Sequence, residues 1–150
     1  MIKLLPTALA STLLLGGCAA KTAVLMRMPP GQYAGVFYTD PVCDAYVLMD
    51  REQNVIWVVD TNMMLSSVGD WPCGPIHLRG GKEEITLAPE GCGQRELAAG
   101  ISATETIRHG VIRRQNSEYR VAVSTQLLAG GPGGQSMACA VDYTGMLRPK

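Results

Sequence analysis

The chain lacks most of the devices that announce a function. No apolar run reaches the ~20 residues that a membrane-spanning helix needs. Neither charge is in excess, because 13 Lys and Arg balance 13 Asp and Glu. The basic footprint of a nucleic-acid binder is therefore missing, and no nucleic-acid partner is expected. There is no Cys-x-x-Cys, which excludes a zinc knuckle and a thioredoxin-like redox motif. Neither His77 nor His109 has a histidine or carboxylate at ligand spacing, so no metal or cofactor is expected, and both are read as solvated or structural side chains. Acidic residues adjoin only at Glu83-Glu84. Neighbours on a strand point to opposite faces, which makes them poor partners for acid–base work. The glycine-rich stretch 129–134 lacks the Gly-Lys-Ser/Thr ending of a phosphate cradle and reads as a loop. Gly134-Gln135-Ser136-Met137-Ala138 approaches a nucleophile elbow. That motif needs a strand before the serine and a helix after it, and here a loop precedes and a strand-like run follows. No internal repeat is present.

What is there begins at the first residue. Lys3 precedes a short apolar run, 4–15, which ends in Gly16, Gly17 and Cys18. A basic start, an apolar centre and small residues at the end describe a secretory signal. Leu15-Gly16-Gly17-Cys18 resembles the lipobox of bacterial lipoproteins: an aliphatic residue, two small ones and a cysteine. The resemblance covers the signal alone. It implies cleavage before Cys18 and acylation of its sulfur and its new amine. Two or more acyl chains give a stable membrane anchor. Ala19 follows the cysteine where an aspartate would favour retention at the inner membrane. The resemblance thus implies the outer membrane. It does not set which side the domain faces, and the periplasmic side is the expected one. The expected organisation is a signal peptide over 1–17, a lipidated tether over 18–32 and one domain over 33–150. Loss of Lys3 leaves the mature side chains at about −1.

With Cys18 acylated, Cys43, Cys73, Cys92 and Cys139 remain. An even number in an exported domain reads as disulfides. Residues 76–79 and 84–88 flank Gly80-Gly81-Lys82-Glu83 and read as a hairpin, with Cys73 and Cys92 just beyond its open ends. The favoured pairing is therefore 73–92, leaving 43–139 to tie early strands to late ones. Pairing in chain order, 43–73 and 92–139, is the alternative.

Strand-like runs recur between turn clusters. A short first strand is expected at 24–28 and another at 33–39, ended by Asp40-Pro41. Residues 44–50 and 55–60 read as a hairpin that is apolar on both faces, pairs Leu48 with Trp57, and so needs cover on both sides. Segment 61–68 is left unassigned, and 94–99 is expected to form one helical turn. Residues 104–115 and 118–128 read as a hairpin about Asn116-Ser117, and 136–144 as the last strand. The expected fold is mostly β: a small antiparallel sandwich or barrel of about seven short strands, stapled by disulfides.

A type I′ turn at Asn116-Ser117 sets the register of the last hairpin. Arg113 then faces Arg120, and His109 faces Ser124. Tyr119, Ile112, Val121 and Val123 share the core face. Opposed arginines repel, and the pair becomes useful when an anion sits on it. His109, Arg113 and Arg120 are the candidate anion or partner contact. The expected function is a non-enzymatic binding or envelope-assembly lipoprotein, with an envelope protein or an anionic envelope component as partner. Two alternatives are an envelope hydrolase with an unrecognised site and a copper-binding module using Met26, Met28, Met63 and Met64.

Overall fold

The computed structural model describes residues 23–43, 50–69, 71, 73–98 and 100–150. The signal peptide, the lipobox with Cys18, and the expected strand residues 44–49 lie outside the described residues. Nine strands and no helix occur among them: β1 Gly31–Cys43, β2 Glu52–Val59, β3 Met64–Gly69, β4 Ile76–Gly80, β5 Ile85–Leu87, β6 Gly91–Ala98, β7 Ile101–Gln115, β8 Glu118–Gly130 and β9 Ser136–Pro149. All pairings are antiparallel, in the order β5-β4-β3-β2-β1-β9-β8-β7-β6. β5 also pairs with β7, through Ile85↔Ile112 and Thr86↔Val111. That contact closes eight strands into a barrel and leaves β6 as an extra strand on β7. Closure removes most of the exposed sheet edge, the usual liability of a small all-β domain.

Alternation along each strand supplies the core. Tyr33, Phe37, Val55, Trp57, Val59, Val121, Val123, Val141, Tyr143 and Leu147 all point inward and are buried. Four rings fill the middle: Trp57 lies 5.4 Å from Phe37 and 5.1 Å from Trp71, and Trp71 lies 6.2 Å from Tyr143. An eight-stranded barrel is just wide enough for side chains to fill, as they do here.

Closure is uneven. β4 meets β3 only at Met64↔His77 and Leu65↔Ile76, and β5 meets β7 only near the Asn116 turn. Towards the other end β3 and β6 make no contact. Trp71, 2% exposed, packs inward against Phe37, Trp57 and Tyr143, and the Cys73–Cys92 disulfide ties this segment to β6. The second disulfide, Cys43–Cys139, joins the cross-strand partners at the far ends of β1 and β9, 96 residues apart. The favoured pairing is thus the observed one. Loop-entropy reasoning assigns about 3 kcal/mol to the shorter crosslink and about 4–5 to the longer.

Several expectations are corrected. Among the described residues strands number nine rather than about seven, and β7, at 15 residues, is not short. Of the expected hairpin of 44–50 with 55–60 only the second arm and residue 50 are described, and that arm has β1 and β3 on its two edges (Tyr33↔Trp57, Trp57↔Ser67). Among the described residues no second layer covers β2: Ile56 and Val58 sit half-buried on the outer wall while Val55, Trp57 and Val59 point inward. β1 continues through Asp40-Pro41 to Cys43. Its pairing with β2 ends at Tyr38, so Pro41 needs no hydrogen bond on that side, as befits a sheet edge. Residues 94–98 extend β6 instead of turning into a helix, because Gln94, Arg95 and Glu96 are paired with β7. Segment 24–28 is not a strand.

Of the expected tether 18–32, residues 31 and 32 open β1, and 23–30 is not free. It crosses the mouth of the barrel as a strap. Met26 donates its N–H to Gly81 O (2.7 Å), Arg27 donates to Thr61 O (3.1 Å), and Met28 is 1% exposed. A Cβ on Gly80 would come within 2.1 Å of Met26 O, so glycine there admits the strap backbone. Tyr33 donates its hydroxyl proton to Pro29 O (2.5 Å). Burial, and then the adjacent Tyr119, push the Tyr33 phenol up to about 12 from 10.0. Its neutral form is the folded form, so its contribution is complete below pH ~10 and lost as pH rises from there through ~12. The melting temperature should fall over that window, more steeply than in Tyr33→Phe. Identical alkaline profiles for the two proteins would refute the assignment.

Candidate functional site

The hairpin of β7 and β8 builds the candidate surface. Asn116 takes the left-handed region (φ 58°), which asparagine tolerates. Of the two turn residues it alone does so, whereas type I′ needs both. The expected register holds all the same: Gln115↔Glu118, Arg114↔Tyr119, Arg113↔Arg120, Ile112↔Val121, Val111↔Ala122 and His109↔Ser124. Tyr119, Ile112, Val121 and Val123 are buried, and His109, Arg113 and Arg120 are on the outer wall.

The two arginines differ in their surroundings. Glu84 Oε2 accepts from Arg113 Nε (3.1 Å) and Nη2 (2.8 Å). Pairing of Ile85 with Ile112 carries Glu84 to that position, and its charge offsets the opposed guanidinium groups. Arg120 has no ion pair or hydrogen-bonded side-chain partner among the described residues. Instead it lines an open depression of about 700 Å³ with Ala34, Val36 and Tyr38 of β1 and Met146 of β9. At its floor β1 and β9 approach closely: a Cβ on Gly35 would sit 2.0 Å from Met146 O, and one on Gly145 2.4 Å from Val36 O. Glycine at both positions permits the sharp local coiling of the sheet. On the rim, Arg148 is paired with Glu118.

His109 shares this wall but not this place. It lies four residues from Arg113 along β7, roughly 13 Å at 3.3 Å per residue. A bulge between Ile107 and His109 shifts the phase, so Arg108 and His109 are both exposed. Asp142, Ser124 and His109 are register neighbours across three strands. Ser124 Oγ donates to Asp142 Oδ1 (2.5 Å), which directs its proton to the carboxylate rather than to the imidazole. A nucleophile relay requires the histidine between serine and acid. Here the serine is in the middle.

A second polar constellation lies inside the barrel. Glu105 is 1% exposed and accepts from Thr125 Oγ1 (2.5 Å), Tyr143 Oη (2.6 Å) and Arg95 Nη2 (3.1 Å). Burial, and then the neighbouring Glu105, push the Tyr143 phenol far above its ordinary range. A carboxylate with three donors and a paired cation is a satisfied interior charge. Its sequence signal was the phase of β7: Glu105 falls in step with Ala103 and Ile107, both buried.

Of the other candidates, His77 is exposed on β4, Ser136 opens β9, and Met28 and Met63 are buried in the core. Among the described residues no group of His, Cys, Asp or Glu is placed to hold a metal ion. The depression beside Arg120 escapes sequence reasoning because β1 and β9, which supply most of it, are more than 90 residues apart. Comparison with family models, curated proteins and solved structures finds no match.

Proposed function

We propose that this is a lipoprotein anchored through Cys18 to the outer membrane, its barrel on the periplasmic side, and that it binds an envelope partner without catalysing a reaction. One observation carries the binding surface: Arg120 is a cation without a counter-charge among the described residues, set beside an apolar depression. An exposed guanidinium of that kind suits a carboxylate or phosphate carried on a partner with an apolar neighbour group. The earlier trio thereby narrows to Arg120, with Arg113 held by Glu84 and His109 set apart along the strand. Tyr38, 56% exposed, adds a large amphipathic contact at the same place, the kind of side chain enriched where partners dock.

The test is crosslinking in cells followed by recovery of the lipidated protein. Arg120→Glu should abolish the specific crosslinks, with the melting temperature unchanged within a degree or so, because exposed charges contribute little to stability. Retention of the crosslinks by Arg120→Glu would remove this surface from the proposal. Intact mass of the wild type should show a chain beginning at Cys18 with added acyl groups. A mature chain without acyl mass would overturn the anchor.

A further inference from the structure

We propose that the barrel rests on an anionic lipid surface with one particular end down, the end that carries the 80–84 and 116–117 turns. The proposal deepens the lipid-anchor reading and rests on it. Three observations lead there independently of the depression beside Arg120.

The first is where the chain enters. The strap docks on this end, through Met26 on Gly81 and Met28 in the barrel mouth. From Cys18 to Met26 the fully extended chain reaches at most about 28 Å. The opposite turns lie roughly 30 Å up the tilted strands. An anchor at Cys18 therefore keeps the strap end within about 28 Å of the headgroups, too short a reach for the barrel to stand on its opposite turns.

Charge is the second. At the strap end Arg113 is paired with Glu84 and Arg148 with Glu118. Arg27, Arg79, Lys82 and Arg114 are exposed there and form no ion pair among the described residues. The opposing carboxylates are Glu83 and Asp60, and Asp60 Oδ1 already accepts the N–H groups of Asn62 and Met64. The other end carries the exposed acids Asp40, Asp50, Glu52 and Glu96 against one exposed base, Arg51. A chain with balanced composition is thus polar along the barrel axis. Lys and Arg side chains near an anionic leaflet are attracted to it and carboxylates are not, so the basic end is drawn down and the acidic end is repelled.

Third, Val24 is 91% and Leu25 54% exposed on the strap, between the anchor and the docked Met26. Apolar side chains next to basic ones are what an interfacial segment buries at the headgroup boundary.

Amide hydrogen exchange on the lipidated protein tests this, with reconstitution into phosphatidylethanolamine–phosphatidylglycerol bilayers and into phosphatidylcholine bilayers. Residues 24–28, 80–84 and 114–117 should exchange more slowly in the anionic bilayer, while 131–135 should exchange alike in both. Lys82→Glu with Arg114→Glu should lose that difference at an unchanged melting temperature, and so should high salt, which shortens electrostatic reach to about 3 Å. Protection of 131–135 instead, or equal exchange of the strap end in both bilayers, would overturn the orientation. Intact mass of the same sample separates the two ideas. Acylated protein without lipid-dependent protection removes the orientation alone, and absent acyl mass removes the anchor and the orientation with it.

Discussion

Glu105→Ala is expected to destabilise the barrel by about 3–5 kcal/mol, the cost of breaking a buried ion pair from one side. The carboxylate is the shared acceptor of Arg95, Thr125 and Tyr143. Its removal leaves the Tyr143 hydroxyl without that acceptor, in a site where burial already disfavours the phenolate. Thr125 retains only a long contact to Val141 O (3.4 Å). Arg95, whose Nε is already buried without a partner, loses its counter-charge. A domain of this size has ~5–15 kcal/mol in total, so the variant should unfold at much lower urea concentration or fail to accumulate. Glu105→Gln retains hydrogen-bonding atoms for Thr125 and Tyr143 and should lose less. Equal denaturation midpoints for Glu105→Ala and the wild type would mean that the network does not hold the fold.

Trp57→Ala should cost a similar ~3–5 kcal/mol for a different reason, the cavity left by a large side chain. Trp57 has no exposed surface, meets Phe37 edge to face and lies tilted against Trp71. Trp71 in turn contacts Tyr143, so its loss of a neighbour loosens the ring cluster at the barrel centre. The melting temperature should drop by on the order of 10 °C. Near-ultraviolet dichroism should lose the coupled-indole signal as well. An unchanged melting temperature would place Trp57 outside the core. The two variants separate by pairing: Glu105→Leu combined with Tyr143→Phe, Thr125→Val and Arg95→Met should recover stability, since a well-packed apolar set can replace a buried ion pair, whereas no neighbouring substitution refills the Trp57 site without repacking.

Arg113 and Arg120 show where sequence reading of the candidate site stops. Their opposition across β7 and β8 follows from a two-residue turn, and is legible from residues 111–122 alone. The arrival of Glu84 beside Arg113 is not legible, because it depends on β5 closing the barrel against β7. The depression beside Arg120 likewise needs β1 and β9 side by side. Met28 is a similar case: a segment broken by Pro29-Pro30 reads as a tether, yet the barrel mouth it covers would otherwise expose apolar side chains such as Tyr33 and Met63, and a methionine fills such a gap well.

The sequence by itself determined the class of structure and two hairpins, and it favoured the observed crosslinks over pairing in chain order. Alternation at period two makes strands, short turns set the pairing of β4 with β5 and of β7 with β8, and cysteines outside a hairpin's open ends point to each other. These are local relations, fixed within a dozen residues or so by hydrogen-bonded turns. Only the tertiary structure decided that β1 lies between β2 and β9, that 91–98 is a strand, and that the sheet closes through β5 and β7. One alternating strand resembles another as a partner at long range, so no local signal separates the choices. Closure of the whole ring does, because it alone buries Trp57, Trp71 and the inward face of every strand together.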